Sequence, residues 1–215
     1  MQSYGIGPAA GAPPVCCVGA CVITDAEHFT AVAEAIDPAS AVALINRYLE
    51  TLFRPVYANG GFISDVKGDG VLAVWTGGAS DAELRARVCR ACLQMADTPA
   101  LARSSRPAHA LRTRVGAYFG PIALARVGAL AHYEYRAVGD TVNTASRLEA
   151  LNKTLGTRLL VSAALVEGLD EFLFRDLGEF ALRGKRNQVR VCELVATRAQ
   201  ASPRERRLCE DYAAA

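Results

Sequence analysis

Two aspartates stand at positions from which their carboxylates could hold metal ions. Asp25 follows the apolar run 15–23, which has the length of a buried strand, and Asp69 lies in the glycine-flanked turn 67–70 between two strand-like segments. A carboxylate at a strand end and another in a neighbouring hairpin turn can converge above one sheet. Such pairs hold two divalent ions, Mg²⁺ or Mn²⁺, in phosphoryl chemistry. Taken singly, each aspartate is more typical of a turn or a helix cap.

A second candidate group lies on a predicted helix. Asn143 and Arg147 are four residues apart, so both side chains project from one helix face. Arginine offers a planar fork of donors to phosphate oxygens, and asparagine could orient a ribose oxygen. The backbone amides after Asp25, including those of Phe29 and Thr30, could cradle phosphate as well. On spacing alone, a solvated helix surface would account for the Asn143 and Arg147 pair.

These residues must be positioned by the strands and helices that carry them, and strand and helix patterns alternate along the chain. Helix starts are predicted at Asp37-Pro38, at the capping pair Ser80 and Glu83, and at Gly139-Asp140, the last of these helices ending near Gly156. Strands are predicted at 15–23, 62–66, 71–75, 113–119, 122–127 and 159–161, near 172, near 180 and at 189–194, with a turn at Gly120-Pro121. This alternation predicts an α+β sandwich, a mainly antiparallel sheet with helices on one face.

Length and composition limit the classes of protein. The chain has 215 residues, enough for one domain with its own core, and its 24 basic and 22 acidic side chains give no field that favours nucleic acid. No apolar run could span a membrane, no signal-peptide pattern is present, and the seven cysteines are scattered. We therefore expect a cytoplasmic protein that contacts neither nucleic acid nor membrane, with a flexible leader (1–14), one domain (15–196) and a C-terminal tail (197–215).

The segments that carry these side chains resemble the signatures of class III adenylate/guanylate cyclases. They are residues 23–30 (ITDAEHFT), 60–69 and 138–147 (VGDTVNTASR), in the family's order and at family-like spacing. Residues 182–185 (LRGK) are similar to the family's last phosphate-contacting segment. The resemblance covers about residues 15–195. It implies a ferredoxin-like βαββαβ core, a mainly antiparallel sheet with flanking helices and an extra hairpin.

The resemblance also implies a role for each matching residue. Asp25 and Asp69 match the two aspartates that bind two divalent ions, and the backbone carbonyl of Ala26 could reach a metal. The other matches are the pair that positions the ribose and stabilises the transition state, and the lysine that contacts the polyphosphate: Asn143, Arg147 and Lys185. In the family the aspartates belong to one protomer and the other set to its partner. The resemblance therefore implies a homodimer whose composite sites bind a nucleoside triphosphate.

The base-reading positions depart from the family pattern. Asp65 stands where cyclases that use ATP carry lysine, and Arg136 stands where they carry aspartate or threonine. This reversed charge order suits a base edge with an N–H flanked by carbonyls, as in uracil, or the Watson–Crick edge of guanine. We expect Asp65 and Arg136 to bind the substrate, with UTP as the leading candidate and ATP or GTP as alternatives. A swapped ion pair that merely preserves the pocket would explain the same residues.

Two further observations bear on function. We expect no attached sensor domain, and in this respect the chain resembles bacterial anti-phage pyrimidine cyclases, whose cyclic UMP or CMP acts on a separate effector. His28 replaces a glycine that the family usually has, and we interpret it as a loop residue rather than a ligand. An inactive dimerisation or binding module is the alternative to an enzyme, although such modules usually lose a metal aspartate or the Asn/Arg pair. The GG-[DE]-EF loop of diguanylate cyclases is absent.

Overall fold

A computed structural model describes residues 13–97, 111–129 and 132–213. The N-terminal part of the chain forms a βαββαβ unit from β1 (Val15–Ala26), α1 (Phe29–Glu34), α2 (Pro38–Ala58), β2 (Phe62–Lys67), β3 (Gly70–Thr76), α3 (Asp81–Ala96) and β4 (Thr113–Ala129). These strands lie in the order β2-β3-β1-β4, and each neighbouring pair is antiparallel. The predicted ferredoxin-like core and the mainly antiparallel sheet are confirmed.

The remaining elements extend this core. They are β5 (His132–Val138), α4 (Asp140–Leu155), β6 (Leu159–Ser162), α5 (Ala163–Val166), β7 (Phe172–Phe180), β8 (Val189–Thr197) and α6 (Pro203–Ala213). The sheet continues from β4 through β6 and β8 to β7, and the β4–β6 pair is parallel. β5 pairs with β4 as the extra hairpin. Within the described residues, no helix is long and apolar enough to cross a membrane.

Helices cover both faces of the sheet. Ala20 and Val22 of β1 pack in the same cluster as residues of α2 and α3, whereas Cys21 points the other way and packs with Ala145 of α4. α4 lies close against β4 because Gly116 has no side chain, and a Cβ there would collide with the α4 backbone. The prediction of helices on one face was wrong. The apolar run of β1 leaves apolar side chains on both faces, and each face needs its own layer.

β4 is one continuous strand, so the predicted turn at Gly120-Pro121 was wrong. Gly120 pairs with Gly19 of β1, and Pro121 pairs with Val18. On the other side of β4, β6 pairs with residues 115–117 and β5 pairs with residues 123–129. Pro121 lies between these two partners, where its missing N–H costs no ladder hydrogen bond. Proline is thus tolerated inside this strand.

The C-terminal region also differs from the sequence prediction. The strands predicted near residues 172 and 180 are the two ends of the single strand β7. Within the segment predicted as a tail, α6 packs on β7 through a small apolar cluster that includes Cys209 and Ala201. Most of the predicted leader, residues 1–12, lies outside the described residues.

Local sequence signals explain the main helix boundaries. The Asp37 side chain accepts a hydrogen bond from the Ser40 N–H at 3.0 Å and begins α2, and Ser80 caps α3 in the same way. α4 ends at Gly156, whose φ of 66° lies in the left-handed region that glycine adopts readily. These three predicted boundaries are confirmed. They fix the length and direction of the helices around the site.

Candidate active site

The two predicted metal aspartates lie next to each other. Asp25 is the penultimate residue of β1, and Asp69 lies in the turn between β2 and β3. The Ala26 N–H donates a hydrogen bond to Asp69 Oδ2 at 3.2 Å. The Val71 N–H donates to Thr24 Oγ1 at 3.1 Å, which ties the turn to β1 a second time. Backbone contacts thus bring both carboxylates to one end of the sheet.

The donor set at this point fits divalent cations that prefer oxygen. One oxygen of each carboxylate is already engaged, Asp69 Oδ2 by Ala26 and Asp25 Oδ2 by basic side chains. The second oxygen of each has no hydrogen-bond partner within the described ranges. Those same ranges contain no group of three or more His, Cys, Asp or Glu side chains that could hold a metal. Further ligands would have to be backbone carbonyls, water or phosphate, as is usual for Mg²⁺.

A buried arginine that sequence reasoning missed contacts the first carboxylate. Arg114 of β4 pairs with Asp25 across the strands, and its Nη2 donates to Asp25 Oδ2 at 2.6 Å. The same guanidinium lies 3.3 Å from Glu27 and 3.4 Å from Glu149 of α4. Burial raises the pKa of Glu149, and the negative charge of Asp25 raises it further. Arg114 therefore joins Asp25 to the helix that carries Asn143.

The cleft beside these carboxylates contains several predicted site residues. It has a volume of about 220 Å³, and its lining includes Asp25, Asp65, Asn143 and Glu149. A larger cavity of about 770 Å³ lies elsewhere, between α3 and the ends of β7 and β8, and no predicted site residue lines it. We place the site at the smaller cleft because the convergent charged groups lie there.

α4 presents its polar residues as predicted. Asn143 is exposed and Arg147 is half-buried, whereas Ala145 and Leu148 are fully buried. The Nη1 of Arg147 is buried and lacks a hydrogen-bond partner among the described residues. Arg147 also lies close to Gly184: a Cβ added at this glycine would be 3.3 Å from the Nη2 of Arg147. A buried guanidinium nitrogen without an acceptor is suited to an anionic ligand.

Lys185 follows Gly184 and reaches the first turn of α4. Its Nζ lies 2.5 Å from Asp140 Oδ2 and 4.9 Å from the centre of the Tyr118 ring. Burial lowers the pKa of Lys185, but the hydrogen bond to Asp140 and the contact with Tyr118 raise it by more. The ammonium is therefore held as a cation beside the first turn of α4, the helix that carries Asn143 and Arg147.

Asp65 and Arg136, the two residues predicted to bind the base, also contact each other. Arg136 Nη2 donates to Asp65 Oδ1 at 3.2 Å, and its Nε donates to Glu134 at 2.6 Å. β2 is irregular at Ser64, between Ile63 and Asp65 in the register with β3. The Ser64 hydroxyl accepts a hydrogen bond from the Ala137 N–H at 3.0 Å. This irregularity ties β5 to β2 and brings the two predicted base-binding side chains together.

A family comparison agrees with this geometry. Residues 14–193 match the model for the adenylate and guanylate cyclase catalytic domain. The chain belongs to this family. It is thus a class III nucleotidyl cyclase domain by sequence as well as by fold.

Individual relatives agree with the family match. The cyclase domain is 34% identical to adenylate cyclase 1 of Rhizobium meliloti over 178 residues, which are 81% of this chain and 27% of that protein. It is 31% identical to adenylate cyclase 2 of the same organism over 180 residues, 75% of this chain and 48% of that protein. The chain therefore spans a quarter to a half of the length of these relatives. The adenylyl cyclase CyaB from P. aeruginosa has the same fold, with a TM-score of 0.77 at 22% identity, covering 89% of this chain and 100% of that one.

The loop after Asp25 has an unusual backbone conformation. His28 of the cyclase domain precedes α1 and has a φ of 61°, in the left-handed region. Among the described residues it is the one non-glycine residue with positive φ, which explains why glycine is usual at this position. Phe29 and Thr30 lie in the first turn of α1, so their N–H groups lack helical acceptors. Their contact with phosphate stays a prediction.

Proposed function

We propose that this chain converts a nucleoside triphosphate into a 3′,5′-cyclic nucleotide and pyrophosphate. The observation that carries the proposal is the pairing of Asp25 with Asp69, linked by the 3.2 Å hydrogen bond from the Ala26 N–H to Asp69. The cleft beside this pair is also lined by Asn143. Family membership supports the same reaction.

The proposed reaction is an in-line displacement at the α-phosphorus. The ribose 3′-oxygen bonds to phosphorus, the bond to the bridging oxygen breaks, and pyrophosphate leaves while the hydroxyl proton passes to solvent. Such a step needs positioning and charge stabilisation more than covalent help. Asn143 would orient the ribose, and the unpaired Nη1 of Arg147 would donate to a phosphate oxygen. Lys185 would contact the polyphosphate.

Asp25 and Asp69 would hold two divalent ions, Mg²⁺ or Mn²⁺, with the Ala26 carbonyl as a further ligand. When bound, these ions supply positive charge that offsets the triphosphate and the leaving pyrophosphate. Arg114 keeps Asp25 at the cleft through its 2.6 Å hydrogen bond, so that carboxylate is oriented before any ligand arrives. The chain's own contribution here is pre-orientation of oxygen ligands.

The proposal includes a homodimer with composite sites. Asp25 and Asp69 would come from one protomer, and Asn143, Arg147 and Lys185 from its partner. Exposed valines support this arrangement, because three of them lie on one face of the neighbouring strands β1, β4 and β5 and expose 44–48% of their surface: Val18, Val127 and Val138. Apolar side chains that are exposed together on one surface are typical of an interface.

For the base, the reversed charges at Asp65 and Arg136 support UTP as the first candidate. Asp65 could accept an imino N–H, and the unengaged nitrogen of Arg136 could donate to a carbonyl. ATP or GTP is the second candidate. It is favoured by the ion pair that engages both side chains and by the printed names of the Rhizobium relatives. A separate effector that binds the cyclic product stays a prediction.

One experiment tests both parts of this proposal. The purified chain is incubated separately with ATP, GTP, CTP and UTP in the presence of Mn²⁺, and cyclic products are identified by mass. A cyclic product from any of the four supports a nucleotidyl cyclase, and the fastest reaction identifies the base. No product with any nucleotide, from a protein that is folded and dimeric, would favour an inactive binding module instead.

A further inference from the structure

Lys185 is fixed by two groups that the proposed reaction leaves without a role. Its side chain is only 13% exposed, although lysine side chains usually extend into water. Asp140 accepts its hydrogen bond at 2.5 Å, and the Tyr118 ring lies 4.9 Å from its ammonium. Asp140 is the first residue of α4, and Tyr118 lies on β4. The lysine is thus held by two different elements of its own chain.

The surroundings of the ammonium leave room for a ligand. A cavity of about 520 Å³ is lined by Tyr118, Asp140, Gly184, Lys185 and Arg186. An ammonium has three N–H donors, and Asp140 accepts one of them. The Tyr118 ring offers its negative face to the cation. At least one donor therefore remains for an incoming anion.

We propose that Asp140 and Tyr118 are positioning residues that hold Lys185 in place for the polyphosphate. This inference rests on the proposed function, in which Lys185 contacts the triphosphate and the product pyrophosphate. Asp140 acts through Lys185 and does not touch the substrate itself.

The physical reason is the conformational freedom of lysine. A lysine side chain has four rotatable bonds, and immobilising it on binding costs conformational entropy. The contacts with Asp140 and Tyr118 order the side chain before the anion arrives, so that this cost falls on folding instead of binding. The negative charge of Asp140 also opposes the anion. We expect the ordering effect to outweigh this repulsion, because the ammonium that Asp140 orders has the opposite charge to the anion and contacts it directly.

The test measures binding of inorganic pyrophosphate to the full chain by calorimetry in the presence of Mg²⁺. Lys185→Met should raise the Kd about tenfold and Asp140→Asn about fivefold, the size expected for one immobilised side chain. Asp140→Glu should restore most of the affinity. The double variant should bind no more weakly than Lys185→Met alone, because Asp140 can favour anion binding only through the lysine.

Asp81→Asn is the matched control. Asp81 is the first residue of α3, as Asp140 is the first residue of α4, so both substitutions remove one acidic charge from a helix start. Asp81→Asn should leave the pyrophosphate Kd unchanged. Unchanged or tighter binding by Asp140→Asn would overturn the positioning role, and so would additive losses in the double variant.

Tyr118→Phe refines the test, because it keeps the ring face and removes the hydroxyl. Its Kd should stay within about twofold of the wild type if the ring face holds the ammonium. Tyr118→Leu should raise the Kd about threefold, and an unchanged Kd would overturn the role of this residue. Binding is measured without turnover. A chain that forms no cyclic nucleotide but shows this pattern would refute the proposed reaction and retain the positioning of Lys185.

Discussion

The metal end and the base end of the cleft are held in different ways. At the metal end, the Ala26 N–H binds Asp69 and the Val71 N–H binds Thr24, while Asp25 is held by the side chain of Arg114. At the base end, Asp65 and Arg136 hold each other through side chains, and Arg136 remains about one third exposed. A backbone-fixed carboxylate tolerates little change, whereas a side-chain ion pair can be exchanged with small cost to the fold. We therefore expect substitution of Asp69 to affect the proposed reaction most, and substitution of Asp65 and Arg136 to affect base preference.

The largest expected effect comes from the metal end. Asp69→Asn should lower turnover by about a thousandfold or more, because a neutral amide is a far weaker ligand for divalent ions. Cyclic product should be quantified by mass under saturating Mn²⁺, with the oligomeric state measured in parallel. Asp211→Asn, an exposed position on α6, is the matched control and should keep full activity. Normal turnover by a folded Asp69→Asn dimer would contradict the assignment of metal ligands.

The second prediction concerns how the two halves of the site combine. Asp25→Ala and Arg147→Ala should each be nearly inactive, but an equimolar mixture should recover about a quarter of wild-type activity. Half of the dimers would then be mixed, and each mixed dimer would have one intact site of two. Activity of the mixture should be measured after subunit exchange, with mixed dimers verified by differently tagged chains. No recovery in verified mixed dimers would refute the composite site.

The third prediction addresses the base end. Combining Asp65→Lys with Arg136→Thr should shift the preference among the four nucleotides by about tenfold or more, at a smaller loss of total turnover. The ratios of kcat/KM for ATP, GTP, CTP and UTP measure the shift. Glu50→Lys with Arg54→Thr exchanges an exposed ion pair on α2 and should leave these ratios unchanged. An unaltered profile in the Asp65/Arg136 variant would mean that this ion pair only preserves the pocket.

The smallest effect is expected at His28, in the loop between the end of β1 and the start of α1. His28→Gly should raise the free energy of unfolding by up to about 1 kcal/mol, because glycine adopts the left-handed conformation without a Cβ penalty. Thermal unfolding measures this difference. His28→Ala should instead be no more stable than the wild type. A loss of stability in the glycine variant would show that the imidazole itself stabilises the loop.

Much of the fold followed from local sequence signals. The caps at Asp37 and Ser80 and the glycine at 156 predicted helix ends correctly, because each acts through its own neighbours. The apolar run of β1 predicted the start of that strand, which extends three residues past its predicted end, to Ala26. Pro121 misled the prediction, since its tolerance depends on which strands pair beside it, and that is a tertiary property. The layer formed by α4 depends in the same way on packing against Gly116.

The residues of the candidate site could be predicted where they belong to contiguous sequence signatures. Those outside such signatures could not. Asp25 and Asp69 lie together as the resemblance implied, and Asp65 meets Arg136. Arg114 was missed because nothing in its local sequence distinguishes it from a solvated strand residue. Its role arises from pairing opposite Asp25 across β1 and β4, and strand register is the signal that could have identified it.

The length of β4 has a further consequence. Arg114 and Tyr118 lie four residues apart on this strand, on the face that meets α4, while Val115 and Ala117 fill the opposite core. A slip of one residue against β1 would turn both polar groups into the apolar layer and the small residues towards the helix. One pairing frame therefore keeps the guanidinium beside Asp25 and the ring beside Lys185 at the same time. If one residue were inserted or deleted between them, Arg114 and Tyr118 would point to opposite faces of the sheet, and at most one of the two contacts could remain.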